Sequence, residues 1–371
     1  TFRAKVKATD TYNCTIFTQS SSGGAQGYPG GLNIGAEWAD VSLTFTPGHG
    51  QVDKFTFNFG DFVGTIYVDD VVFSDGTSDI YTSSFENQSI EGWTSWSGYQ
   101  GLSAEEKKDT LTWAMNNWVE GMMKATGGYV TAWDVVNEAI SGGGNDEGFY
   151  TLQSASNVSP EDAKNNFYWQ DYLGNVDYVR IVVAAAPKHY AENGGTAPLK
   201  LFVNDYNLES DWDDNKKVKS LVHWIEKWEA DGVTKIDGIG TQMHVSCYAN
   251  AVTQKSKEDH VVKMFEILAE SGKLVKISEL DMGYIDENNT SVKTENMTEA
   301  QHKAMAEYYK FIVKKYFEII PAAQQYGITQ WCATDAPSDS GWRGGEPVGL
   351  WDSNYSRKHT YAGFADGLAG K

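Results

Sequence analysis

From residue 103 onward the chain is ruled by one alternation. Five apolar runs, at 129–136, 199–203, 236–243, 274–278 and 328–333, are separated by stretches of helical periodicity at 176–191, 215–230, 258–271 and 298–319. A parallel strand pair needs a long crossover, usually a helix, so this order predicts a parallel sheet. Sustained alternation predicts an α/β barrel. Ser103 with Glu106, and Thr298 with Gln301, have the spacing of capping boxes and mark two helix starts. The first of these helices is expected to bury Leu111, Met115, Trp118, Val119 and Met122 on one face.

Each apolar run finishes in polar residues: Asn137-Glu138, Asn204-Asp205, Gln242 with His244, Glu279 with Asp281, and Thr334-Asp335. Strand stability does not ask for such endings. In a parallel barrel the C-terminal strand ends form the active site, so the five endings point to one polar pocket. Glu138 and Glu279 then become the candidate catalytic pair. Two facing carboxylates suit glycoside hydrolysis, one donating a proton to the leaving oxygen and the other attacking or activating water. Their separation in space decides the stereochemistry, about 5–5.5 Å for retention and about 6.5–9.5 Å for inversion. The competing use is a metal site with His244 and Asp281, which no HxH or HExxH cluster supports. No metal and no cofactor is expected.

Residues 1–75 are a different material. Phe2, Ala4 and Val6, then Val41, Leu43 and Phe45, then Phe55, Phe57 and Phe59 alternate with period two, and Gly, Ser, Asn and Asp punctuate the runs. This predicts a β-sandwich of five or six strands, thin enough to be partial. Residues 20–35 read as a long Gly-rich loop, and 76–100, with Trp93 and Trp96, as a linker or a covering strand. Tyr28 and Trp38, with Phe62 ranked after them, are candidate sugar-stacking aromatics, although core packing accounts for any single one of them more often, roughly two to one. A net charge of −20 excludes a nucleic-acid or anionic-membrane partner. No apolar run approaches the roughly 18 residues of a membrane span. Cys14, Cys247 and Cys332 match no disulfide or metal framework, and Cys332, inside an apolar run, is expected to be buried. The chain opens in the middle of an alternating pattern, without initiator Met or signal peptide, and so reads as part of a longer product.

Several of these motifs, in this order, resemble glycoside hydrolase family 10, the β-1,4-xylanases. Trp133-Asp134-Val135-Val136-Asn137-Glu138 is similar to that family's acid/base motif, and Ile277-Ser278-Glu279-Leu280-Asp281 to its nucleophile strand. The stretches 202–207, 240–244, 331–335, 340–343 and 349–352 follow in the family's order. The resemblance covers about residues 101–371. It implies a (β/α)8 TIM barrel, with Glu138 as general acid/base and Glu279 as nucleophile of a retaining endo-β-1,4-xylanase. Asn137 would bond the sugar 2-hydroxyl, His244 would orient Glu279 with Asp281 behind it, Gln242 and Tyr206 would line the cleft, and Trp331 and Trp342 would wall it. Xylan and xylo-oligosaccharides would be the partners, and the location extracellular or in the cell envelope.

The family has eight strands and this chain shows five. Residues 1–75 resemble carbohydrate-binding modules of the family 4/9/22 type, with 66–73 as a closing strand, such as some family members from gut Bacteroidetes carry inserted in the barrel. The reading is therefore a barrel of strands four to eight, its first three lying upstream of residue 1. Two alternatives stand beside it: a non-catalytic xylan-binding fragment, and a β-1,4-glucanase with the same chemistry.

Overall fold

The computed structural model describes residues 1–20, 26–46, 52–59, 62–86, 90, 92–94 and 102–371. They fall into two units, Thr1–Gly101 and Leu102–Lys371.

In the first unit, alternate residues of β1 (Phe2–Ala8) are buried, as the period-two pattern requires. The strands β2 (Tyr12–Gln19), β3 (Gln26–Ile34), β4 (Ala39–Leu43), β5 (Lys54–Asn58), β6 (Ile66–Ser74) and β7 (Asp79–Ser83) complete two antiparallel sheets. Their orders are β4-β1-β6-β7 and β3-β2-β5. Phe2 meets Phe55 and Phe57 at ring-centroid distances of 5.1 Å, closing one sheet on the other. The stretch 20–35 is not a loop throughout, because 26–34 is β3, while 21–25 lie outside the described residues. Its glycines permit close backbone approach: a Cβ on Gly31 would sit 2.9 Å from the Cys14 carbonyl oxygen. Within 76–100, β7 pairs with β6, and Trp93 stacks 6.0 Å from Phe57 while its indole N–H donates to the Tyr81 hydroxyl at 2.7 Å. Trp96 lies outside the described residues.

The second unit opens with α1 (Ala104–Thr126), whose Ser103–Glu106 capping box is formed in both directions. After it come β8 (Ala132–Asn137), α2 (Pro160–Asn165), α3 (Gln170–Leu173), α4 (Asp177–Glu192) and β9 (Lys200–Asp205). Next are α5 (Lys216–Glu229), β10 (Gly238–Thr241), β11 (His244–Tyr248), α6 (Ala251–Glu270) and β12 (Leu274–Ile285). The unit ends with α7 (Glu299–Ile319), β13 (Gln325–Gln330) and α8 (His359–Leu368). Every strand pair is parallel, in the order β8-β9-β10-β12-β13, with β11 on the far half of β12. Among the described residues, β8 pairs with β9 alone and β13 with β12 alone. The sheet is thus an arc whose two edge strands do not pair with each other. Leu221 and Trp228 of α5, Phe265 of α6 and Tyr316 of α7 are buried in the core that also holds Val203, Ile239 and Val275 of the strands.

Three expectations change here. Helix α1 buries Met115, Val119 and Met123, whereas Trp118 is 71% exposed. The run 236–243 breaks at Met243, which has φ 58°, and a separate strand, β11, follows it. Cys332 is exposed, since β13 stops at Gln330 and, as an edge strand, encloses nothing beyond its end.

Candidate active site

Glu138 follows the last residue of β8 with φ 57°, a conformation that costs a non-glycine residue about 1 kcal/mol or more. The turn is held from several sides. The Glu138 N–H donates to the Asn204 carbonyl at 2.8 Å, and its own carbonyl accepts from Gln153 Nε2 at 2.6 Å. Its carboxyl Oε1 accepts from Gln242 Nε2 at 2.9 Å.

Asn204, at the end of β9, ties the cluster together. Its Nδ2 donates to Asn137 Oδ1 and to Glu279 Oε1, both at 2.9 Å, and its Oδ1 accepts from Ser278 Oγ at 2.6 Å. Gln242 Nε2 also reaches Asn137 Oδ1 at 3.4 Å. With Asn137 Oδ1 accepting twice, the Asn137 NH2 group is left as a donor. The two glutamates are therefore joined by a continuous path, Glu138–Gln242–Asn137–Asn204–Glu279. The neighbouring strand makes room for it, because a Cβ on Gly240 would lie 2.3 Å from Asn204 Oδ1.

The far side of Glu279 is different. His244 Nε2 stands 3.4 Å from Glu279 Oε2, and His244 Nδ1 3.0 Å from Asp281 Oδ2. Trp342 Nε1 donates to that Asp281 oxygen at 2.7 Å, and Arg343 Nε stands 3.4 Å from the other. Burial opposes the His244 charge, but contact with Asp281 and the charge of Glu279 outweigh it, so the imidazole holds its proton above its ordinary pKa. The contacts are thus asymmetric: each glutamate accepts an amide N–H, and Glu279 alone also faces an imidazole.

Trp342 and Trp331 pack beside His244 at centroid distances of 4.8 and 6.4 Å, each about half exposed. Tyr206 is half-buried, with Lys217 Nζ 3.3 Å from its ring centroid. Its hydroxyl pKa is raised, by burial first and then by the charges of Asp205 and Glu138. Asp335, in contrast, is buried against Lys358 and shares no hydrogen bond with this network. Tyr28 and Trp38 belong to the first unit; Tyr28 is exposed beside Phe17, and Trp38 stands beside Tyr67 with Lys7 over both rings. Among the described residues no group of three or more His, Cys, Asp or Glu side chains is placed to hold a metal ion.

Asn204, Gln153, Ser278, Arg343 and Lys217 had no role assigned from sequence. Asn204 and Ser278 carried a signal, being polar residues at or beside the end of an apolar run. Gln153, in a long loop, carried none.

The fold matches known barrels. A family 10 glycoside hydrolase structure from Paenibacillus barcinonensis superposes with a TM-score of 0.55 at 24% identity, over 71% of this chain and 69% of that one. Such likeness shows a fold of the (β/α)8-barrel class. The family model of glycosyl hydrolase family 10 matches residues 82–367, and the chain belongs to that family. It is similar to the endo-β-1,4-xylanase Xyn10C of Cellvibrio japonicus, 29% identical over 257 residues that cover 66% of this chain and 37% of that protein. It is also similar to endo-1,4-β-xylanase C of Paenibacillus barcinonensis, 27% identical over 248 residues, 65% of this chain and 20% of that protein. The chain thus spans well under half the length of these relatives.

Proposed function

We propose that the protein hydrolyses internal β-1,4-xylosidic bonds of xylan by a retaining double displacement. The observation that carries this reading is the hydrogen-bonded path between Glu138 and Glu279, with His244 at one end alone. Each glutamate accepts one amide N–H, and Glu279 alone also faces the His244 imidazole, a partner suited to the carboxylate that attacks, which leaves Glu138 as the proton donor. Glu138 protonates the leaving oxygen while Glu279 attacks the anomeric carbon. Glu138 then takes a proton from the water that hydrolyses the glycosyl-enzyme. The NH2 group of Asn137 donates to the sugar 2-hydroxyl, Gln242 and Tyr206 line the cleft, and Asp281 holds His244. Trp331 and Trp342 wall the site at the sugar's C5, where xylose has no hydroxymethyl group.

The first unit serves as a carbohydrate-binding module, with Tyr28 and Trp38 as its candidate stacking residues. The two unpaired edges of the sheet receive three further strands of a longer protein, which complete the barrel. Because xylan is a polymer outside cells, the enzyme works extracellularly or in the cell envelope. The test is the anomer first released from xylohexaose, followed by proton NMR in the full-length protein. The β-anomer is expected, along with faster turnover of xylan than of carboxymethylcellulose. An α-anomer, or a preference for the cellulose derivative, would overturn the reading.

A further inference from the structure

Lys217 occupies an expensive position. It lies in the first turn of α5, where a cation opposes the helix dipole and where this helix has no acidic residue. Its side chain is also 5% exposed. Two groups offset these costs. Its Nζ stands 2.8 Å from Asp205 Oδ1, itself fully buried, and lies over the ring of Tyr206. Asp205 is shared further. Its Oδ2 accepts the backbone N–H of Ile140, two residues past Glu138, at 3.0 Å, and its Oδ1 accepts the N–H of Tyr206 at 2.9 Å.

We propose that the Asp205–Lys217 pair is a positioning brace for the proton donor: it pins the turn that carries Glu138 and the cleft ring of Tyr206 to the start of α5. This rests on the glycosidase reading of the site. Buried ion pairs contribute little net stability compared with apolar substitutes of similar shape. This one spans two segments that must keep register with the substrate. Glu138 takes up a strained backbone conformation at the end of its strand, and a shift of about 1 Å in such a group costs about 100-fold in rate. Neither residue touches substrate in this account; both act through Glu138 and Tyr206.

The double variant Asp205→Asn/Lys217→Met tests the brace in the full-length protein. It removes both charges together, so no buried charge is left alone, and its single amide oxygen replaces the two carboxylate oxygens that serve Ile140 and Tyr206 separately. Its unfolding midpoint is expected to stay near that of the parent. The discriminating readout is leaving-group dependence. Phenyl β-xylobioside needs a proton donor in its first step, and its kcat/KM is expected to fall 10- to 100-fold. The 2,4-dinitrophenyl analogue, whose leaving group departs without one, is expected to fall less than about 3-fold in the same quantity. Equal losses on both substrates would overturn the proposal, since a merely structural role lowers both alike. A second readout does not depend on activity: amide hydrogen exchange at Ile140 is expected to speed up at least 10-fold in the variant. If the parent cleaves neither substrate, the glycosidase reading fails, and this exchange rate alone decides the brace. Unchanged protection at Ile140 would overturn it.

Discussion

The two glutamates share a side chain and a place at the strand ends; in the proposed reaction their neighbours divide the work. Glu279 sits between an amide and an imidazole, so Glu279→Gln keeps its shape and removes the proposed nucleophile. Turnover of xylohexaose is expected to fall by about 1,000-fold or more while its Kd, read by calorimetry, changes little. Activity near that of the parent would remove Glu279 from the role. His244 gives a pH dependence whose sign can be worked out. Its folded pKa is raised above the ordinary 6.5 by Asp281 and Glu279, against the opposing effect of burial. The stability it contributes is fully present below 6.5, where both folded and unfolded states are protonated, and is lost as pH rises through the raised folded value. The His244 ring resonances should titrate with a midpoint above 6.5, and urea-unfolding free energy should decline across the same window. A decline of equal slope in His244→Gln would assign it elsewhere. At this scale much was legible, because Glu138, Glu279, Gln242, His244 and Asp281 each interrupt or end an apolar run. Asn204 had the same visibility, but its bridging role depends on Gly240 standing opposite it, and that is a fact of sheet register. Lys217 stands beside Lys216 at a helix start, a pattern with no signal of its own, and only the fold shows Asp205 beneath it.

Among the elements, β10 is shaped by what its neighbour presents. Its Gly238 and Gly240 stand where a Cβ would meet the Phe202 ring at 2.2 Å and Asn204 Oδ1 at 2.3 Å. Gly240→Ala is therefore expected to displace the Asn204 amide that holds Asn137 and Glu279. Turnover should fall at least about 10-fold with less than about 1 kcal/mol lost in stability, the displaced group being a side-chain end. The contrasting case is Gly363 of α8, where a Cβ would meet the backbone carbonyl oxygen of Ala306 in α7 at 2.0 Å. Backbone cannot turn aside, so the helices must separate. Gly363→Ala is expected to cost about 1–3 kcal/mol in chemical unfolding, with kcat per folded molecule retained. If the two variants showed the reverse pattern, the division between site-shaping and packing glycines would fail. Element type was readable wherever caps and periodicity agreed, as with Thr298 and Gln301 at the start of α7. It failed where tertiary contacts overrode local pattern. Strand β3 is glycine-rich because its backbone closely approaches β2, so it looked like a loop, and β11 exists because the chain turns at Met243.

For the second unit, the governing fact is an arc whose two edge strands each pair on one side only among the described residues. The helix–strand alternation made the parallel sheet legible from sequence, but closure depends on strand number, which no local pattern encodes. The inner wall of the arc is already furnished. Lys276 pairs with Asp134 at 2.9 Å, and Phe202 meets Tyr326 across the sheet at 4.7 Å, both contacts skipping a strand or more. Such inward-pointing groups belong in a packed interior, yet Tyr326 is 42% exposed here. On α1, Trp113 and Trp118 are exposed as well. An open sheet edge beside exposed aromatics is a template for further strands. In the proposed cleft a substrate held by Asn137, Tyr206 and the two tryptophans meets, among the described residues of the second unit, no strand beyond the edges of the arc, so its near-attack geometry is poorly fixed. The residues 1–371 by themselves are therefore expected to bind xylohexaose but to hydrolyse xylan at least about 100-fold more slowly than a form in which the three further strands proposed above complete the barrel. Reducing-sugar release from both, at equal folded concentration, measures the difference. Equal rates would show that five strands suffice for catalysis. If both forms bind xylan and neither cleaves it, the protein is a binding module and the glycosidase reading is lost.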